Sequence, residues 1–304
     1  MAVKVLTDST SDLPSEVAEA LGITIVPAYV HFGDKTYRDR LDISEDELYQ
    51  RLVAGPVHPT TSACSPGDFA QAYSKLAQES DEIVSITVTA KMSAMYNSAV
   101  LGREGLEGKC RIEVIDSQST SVGLGLITIA AAEKAQRGGT VDEVLEAVHQ
   151  AILTTDILAM LDTLKYALRG GRLTKAFRIL GAMIKVKPLI TARDGEIVRA
   201  GLVRTRTRAI ERLCEFVKKR LPVEDIAIAH STAPEEAEGL ASRIKALVPG
   251  KQSLIARIGP ALGVHAGPGA LVVAVREGKR RPDKAVQEKR RGKRFSLPSL
   301  RASR

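Results

Sequence analysis

Small hydroxyl residues gather at four places directly after strand-like runs: Thr7-Asp8-Ser9-Thr10-Ser11, Thr60-Thr61-Ser62 ahead of Pro66, Thr89 to Ser93, and Asp116-Ser117. In an open α/β sheet the carboxyl ends of the strands meet the N-termini of helices, where unpaired N–H groups face an anion. Hydroxyls and amides placed there would cradle a carboxylate or a phosphate. The same residue types also cap helices and close turns, so each cluster alone keeps two readings. Two glycine-rich segments add candidates. His265 lies in Gly259-Pro260-Ala261-Leu262-Gly263-Val264-His265-Ala266-Gly267-Pro268-Gly269, a run that lets the backbone approach a ligand closely or simply forms a loop. Arg169-Gly170-Gly171-Arg172 follows an expected helix over 163–168, where glycine either ends the helix or turns an arginine towards an anion.

Common catalytic templates are missing from the sequence. It has no Gly-x-x-x-x-Gly-Lys-Ser/Thr phosphate loop, Gly-x-Gly-x-x-Gly, His-Glu-x-x-His or Gly-x-Ser-x-Gly. Gly123-Leu124-Gly125 lacks the third glycine of a dinucleotide loop, and close helix packing explains it better. The other histidines, His31, His58, His149 and His230, are scattered without metal-ligand spacing. Cys64, Cys110 and Cys214 are odd in number and contain no Cys-x-x-Cys pair, so they read as reduced thiols, with neither a disulfide framework nor a zinc site expected.

The elements that must hold these residues alternate between strand and helix. Strand-like runs fall at 3–6, 23–30, 83–88, 112–115, 157–161, 186–190, 226–229 and 271–275, separated by helix starts at Pro14, Ser44 with Glu47, Ser65 with Asp68, and Thr140 with Glu143. The fold class expected is α/β. Asp194-Gly195 marks a tight hairpin inside the second half. A turn at Thr154-Thr155-Asp156 suggests two α/β domains, 1–155 and 156–277, followed by a basic disordered tail over 278–304. That tail holds eleven Lys or Arg against two acids, a net +9, which leaves −1 for residues 1–277 out of the +8 total. Any attraction to nucleic acid or an anionic surface therefore belongs to the tail. Aromatic residues are 4% of the chain and Trp is absent, so pockets must be lined mainly by Leu, Ile, Val and Ala. Residues 1–7 carry no basic stretch leading into an apolar core, and the longest apolar run, 122–132, is about half the ~20 residues a membrane-spanning helix needs. A cytoplasmic protein is expected.

Five motifs in order, Val5-Leu6-Thr7-Asp8-Ser9-Thr10-Ser11-Asp12-Leu13-Pro14, Pro59-Thr60-Thr61-Ser62, Val114-Ile115-Asp116-Ser117, Leu161-Asp162-Thr163-Leu164 through Gly170-Gly171-Arg172, and Gly263-Val264-His265-Ala266-Gly267-Pro268-Gly269, resemble the DegV family. That family includes the fatty-acid-binding subunit of bacterial fatty acid kinase. The resemblance covers residues 3–276 and leaves out the tail. It implies two α/β domains with a tunnel near their interface that holds one long-chain fatty acid. It also implies that this chain is not an enzyme and needs no cofactor. A separate ATP-dependent kinase subunit would form the acyl phosphate, which then enters phospholipid synthesis. By motif position, Thr61, Ser62 and Ser93 match the hydroxyls near the carboxylate, and Arg172 and His265 match the arginine and histidine flanking them. Arg204 resembles a surface arginine associated with kinase docking. No metal ligands are implied.

Three positions depart from the family pattern. Ala94 and Met95 stand where Gly and Thr are usual after Ser93, so the loop is expected to lose a flexible position and a hydroxyl. Cys64 stands where proline is common, and reads as a small neutral replacement. A protonated His265 or a nearby Arg172 is expected to keep the bound carboxylate ionised. The alternative function is an enzyme that binds a small phosphorylated metabolite in the hydroxyl-lined cleft. For the tail, transient contact with anionic lipid and simple solvation are both open readings; with Phe295 as its only aromatic, it carries no reader of specific nucleic acid.

Overall fold

The computed structural model describes residues 2–172 and 186–278. The basic tail from Lys279 onwards lies outside the described residues. The fold is α/β, as expected, and is built on three sheets. In the first, four parallel strands run in the order Ile23–Val26, Lys4–Asp8, Glu82–Thr87, Arg111–Asp116. Parallel neighbours need crossover helices, which cover both faces, and the central strands are accordingly buried beyond their first residues: Leu6, Ile83, Val84 and Ile86 have no measurable exposure.

The second sheet has six strands in the order Glu196–Val203, Lys187–Arg193, Thr155–Met160, Leu271–Glu277, Val223–His230, Leu254–Arg257. Only its last pair is parallel. Strand periodicity gives this sheet two apolar faces. Leu158, Met160, Leu189, Val273 and Val275 pack with the helices Arg206–Lys218 and Pro234–Leu247. Ile157, Ala159, Ile190, Val272 and Ala274 face the other way, towards Val122 and Leu126 of the helix Val122–Gln136.

The expected continuous strand over 23–30 is two strands. Pro27 has no N–H to continue a ladder, so the chain leaves the first sheet after Val26 and re-enters as Tyr29–Phe32 in a small antiparallel sheet with Lys35–Arg38 and Thr60–Ser62. That break delivers Thr61 opposite Val30. The helix starts follow the sequence: Ser44, Ser65 and Thr140 each accept from the backbone N–H three residues on, and the last two complete capping boxes with Asp68 and Glu143. Asp194 and Gly195 take φ of 49° and 79° in the expected hairpin. A Cβ on Gly123 would lie 2.4 Å from Ile157, so that glycine serves close packing. Among the described residues, no helix is long and apolar enough to cross a membrane, and no cluster of His, Cys, Asp or Glu could hold a metal ion.

Candidate functional site

Thr61, Ser62, Ser93, Arg172 and His265, separated by up to 204 positions in sequence, line one cavity together with Thr10, Met92, Met95 and Leu262. It encloses about 430 Å³ of empty space including its mouth. Thr61 and Ser62 come from the small sheet, and Ser93 from the turn before the helix Met95–Gly102. Arg172 follows the short helix Lys165–Arg169, and His265 sits in the helix Pro260–Ala266. Ser62 and Arg172 are exposed at the rim, whereas His265 is only 8% exposed.

The ring of His265 is held on two sides. Its Nε2 lies 2.8 Å from Thr61 Oγ1. Its Nδ1 faces the backbone of Gly170 so closely that a Cβ there would lie 2.0 Å away, and it has no hydrogen-bond partner among the described residues. Gly170 therefore does more than end its helix. Burial, helped by the positive charge of Arg172, pushes the imidazole down to about 4, so His265 is neutral at physiological pH. This corrects the protonated His265, one of the two expected ways to keep the carboxylate ionised; among the described residues lining this cavity, the cation is Arg172. Ser93 Oγ accepts the backbone N–H of Met95 at 3.2 Å, and Ser62 Oγ lies 2.9 Å from His31 Nε2.

A second cavity, with about 590 Å³ of empty space including its mouth, lies against the first and shares Met92, Arg172, Leu262 and His265 with it. Its remaining wall is mostly aliphatic, with Ile157, Ala159, Leu161, Ile190, Ile197, Ile258, Ala266 and Val272, and the hydroxyl residues Thr120 and Ser121 also line it. Thr191 also reaches it, but its hydroxyl donates to Ile157 O at 2.6 Å. This cavity is carved from the inward face of the six-stranded sheet.

The family model described as "Uncharacterised protein, DegV family" matches residues 2–277. The chain belongs to the DegV family. A DegV domain-containing protein of Streptomyces coelicolor is 38% identical over 279 residues, covering 90% of this chain and 98% of that one. Among solved structures, a DegV family protein of Thermus thermophilus described for its fatty acid binding superposes with a TM-score of 0.83 at 30% identity, covering 91% of this chain and all of the other. A stearic-acid-binding protein of Eubacterium ventriosum gives a TM-score of 0.82 at 27% identity, covering 90% of this chain and 98% of that one.

Geometry accounts for Ala94 and Met95, the two residues after Ser93 that differ from the expected pattern. Ala94 has φ −74° and ψ 3°, a conformation open to any L-residue, so glycine's freedom is not needed and the expected loss of flexibility costs nothing. Met95 is buried, and Cys64 Sγ donates to its Sδ at 3.1 Å. Cys64 and Met95 thus pack on each other, which puts a polarisable thioether at the cavity wall. Burial pushes the Cys64 thiol up, which keeps it unreactive.

Other residues singled out by sequence lie elsewhere. Of Thr7 to Ser11 only Thr10 reaches the cavity; Asp8 instead accepts from Thr10 and from Val88 N. Asp116 and Ser117 close a turn on Ala90, Gln118 and Ser119, and Thr89 donates to Gly195 O. Arg204 is exposed just beyond the strand Glu196–Val203 and lines neither cavity. The glycine-rich run around His265 is a helix, and its glycines admit this chain's own side chains: a Cβ on Gly259 would meet Arg40 Nε at 2.8 Å, and one on Gly263 would meet Leu48 at 2.6 Å. Missing from the sequence reading are Met92, Leu262 and the aliphatic wall, whose residues read individually as ordinary core.

Proposed function

We propose that this protein binds one long-chain fatty acid, with its aliphatic chain in the apolar cavity and its carboxylate among Thr61, Ser62, Ser93 and Arg172. The observation that carries this reading is the shared wall: an anion-suited cavity and an aliphatic one meet at Met92, Arg172, Leu262 and His265. Burying the chain gains about 0.8 kcal/mol per methylene relative to water, but a bilayer offers nearly the same. Extraction is then decided at the carboxylate, where charge-assisted hydrogen bonds of about 1.5–3 kcal/mol each tip the balance. Arg172 supplies the charge and the hydroxyls supply direction. If His265 donates Nε2–H to Thr61 Oγ1, the Thr61 proton is free to point at the ligand.

The same geometry speaks for binding over acyl transfer. A hydroxyl beside a histidine resembles a nucleophile with its base, but an imidazole held near 4 is a weak base at neutral pH. Among the described residues, its Nδ1 also lacks the carboxylate that orients the histidine of a triad. The exposed rim at Ser62 and Arg172 suits presentation of the carboxylate to a second protein. We read that partner as a separate ATP-dependent fatty acid kinase subunit, docking through a surface that includes Arg204 and converting the bound acid to an acyl phosphate for phospholipid synthesis. In this reading residues 1–155 and 156–277 act as two domains with the tunnel near their interface, in the cytoplasm.

A matched pair of ligands tests the head-group assignment. Delipidated protein titrated with hexadecanoic acid should bind it at least tenfold more tightly than hexadecanol at pH 7.5. Equal affinity would show that the carboxylate is not recognised.

A further inference from the structure

The opening Thr7-Asp8-Ser9-Thr10-Ser11-Asp12 motif is largely unused by the cavity, yet its Ser9 and Asp12 side chains make fully buried bonds to distant parts of the chain. Asp12 and Asp39 have no exposed surface to speak of, at 0% and 2%. Asp12 Oδ1 accepts Gly259 N at 2.8 Å, and its Oδ2 accepts Ser121 Oγ at 2.5 Å. Asp39 Oδ1 accepts Ala261 N at 3.3 Å, and its Oδ2 accepts Ser9 Oγ at 2.6 Å. These backbone groups are the first N–H donors of the helix Pro260–Ala266, whose own N-cap, Gly259, offers no side chain. Orphan donors at a helix start need acceptors, and the nearby negative charge suits the positive end of the helix.

The grip extends along the approach to that helix. Arg40 Nη2 donates to Arg257 O at 2.5 Å and Nη1 to Leu13 O at 2.9 Å, while Tyr49 OH donates to Ile258 O at 3.0 Å. The backbone of residues 257–261 is therefore held by four side chains from the first fifty residues. His265 rides on the last turn of the same seven-residue helix, where its ring has to fit between Thr61 Oγ1 and Gly170. A rigid helix fixed at its start fixes what stands at its end.

We propose that Asp12 and Asp39, with Tyr49 and Arg40 beside them, are positioning residues that set the place of His265 in the head-group cavity. They do not touch the ligand; they act by capping and docking the helix that carries the histidine. This deepens the fatty-acid reading and rests on it only for its effect on affinity. Arg40 attracts both carboxylates, Asp39 repels Asp12, Glu45 repels Asp39, the Tyr49 hydroxyl interacts with both, and the hydroxyls of Ser121 and Ser9 donate to Asp12 and Asp39 respectively.

The test uses the full chain with ¹⁵N-labelled histidine. Parent protein, Asp12→Asn, Asp39→Asn and the isosteric Tyr49→Phe are titrated by NMR, Tyr49→Phe serving if either carboxylate variant does not fold. The expected result is that the His265 ring, which burial pushes down to about 4 in the parent, moves towards the ordinary imidazole range in the variants. An unmoved His265 in folded variants overturns the proposal. A second arm measures hexadecanoate affinity in the parent and His265→Ala backgrounds. Asp39→Asn should cost about fivefold in the first and nothing further in the second; the same loss in both backgrounds contradicts action through His265. Should the parent bind no fatty acid, the function reading fails, and the imidazole titration still decides this one.

Discussion

Ser93 shows how one side chain serves the fold and the site together. Its hydroxyl accepts Met95 N at the start of the helix Met95–Gly102, and it also lines the cavity beside Thr61 and Arg172. A hydroxyl that accepts one bond still has its own proton to give, and a carboxylate is the strongest acceptor on offer. Ser93→Ala should weaken fatty-acid binding by about 1–3 kcal/mol, the usual cost of losing a buried bond to a charged group, with stability lowered by less. Isothermal titration and thermal melting on the same preparation separate the two effects. Unchanged affinity would remove Ser93 from the site.

At the scale of elements, the inward face of the strand Thr155–Met160 decides the bore. Ile157 and Ala159 alternate on that face, and the small residue leaves space that its neighbours do not fill. Ala159→Leu should project into the cavity. Long-chain affinity is expected to fall at least tenfold with the melting temperature held or raised, because the added carbons occupy empty space instead of a packed core. Retained affinity for a sixteen-carbon acid would mean that the chain lies elsewhere. This face also shows why sequence reading reached only one end of the site. Thr61, Ser62, Ser93, Arg172 and His265 are legible because polar residues in matched motifs stand out. Ile157, Ala159, Ile190 and Ile197 are not, since an alternating aliphatic strand looks the same whether its inner face meets a helix or a void. At Thr7–Ser11 the two readings could not be told apart, because a side chain that binds a backbone N–H has the same chemistry as one that binds a ligand.

At the scale of the molecule, the Asp12–Asp39 joint links the two ends of the chain and makes stability depend on pH. Burial pushes Asp12 up to about 7 and Asp39 up to about 6, against the pull of Arg40 on both. A carboxyl raised in the folded state binds a proton that the unfolded chain has already released, so its contribution is complete below about pH 4 and is lost as pH rises through 6 and 7. His265, pushed down, works with the opposite sign between about pH 4 and 6.5 and is silent above that. The clean window is pH 6.5–8, where stability should fall by an amount on the order of 1 kcal/mol. Asp12→Asn should flatten that slope in denaturant unfolding series. An unchanged slope would show that Asp12 is already ionised in the folded protein.

The central claim is that one fatty acid fills the joined cavities, and native mass spectrometry of the purified protein, followed by solvent extraction of whatever is released, tests it most directly. A mass excess of one long-chain fatty acid per chain, or uptake of one by emptied protein, is the expected result. A chain that carries nothing and takes up no added fatty acid contradicts it.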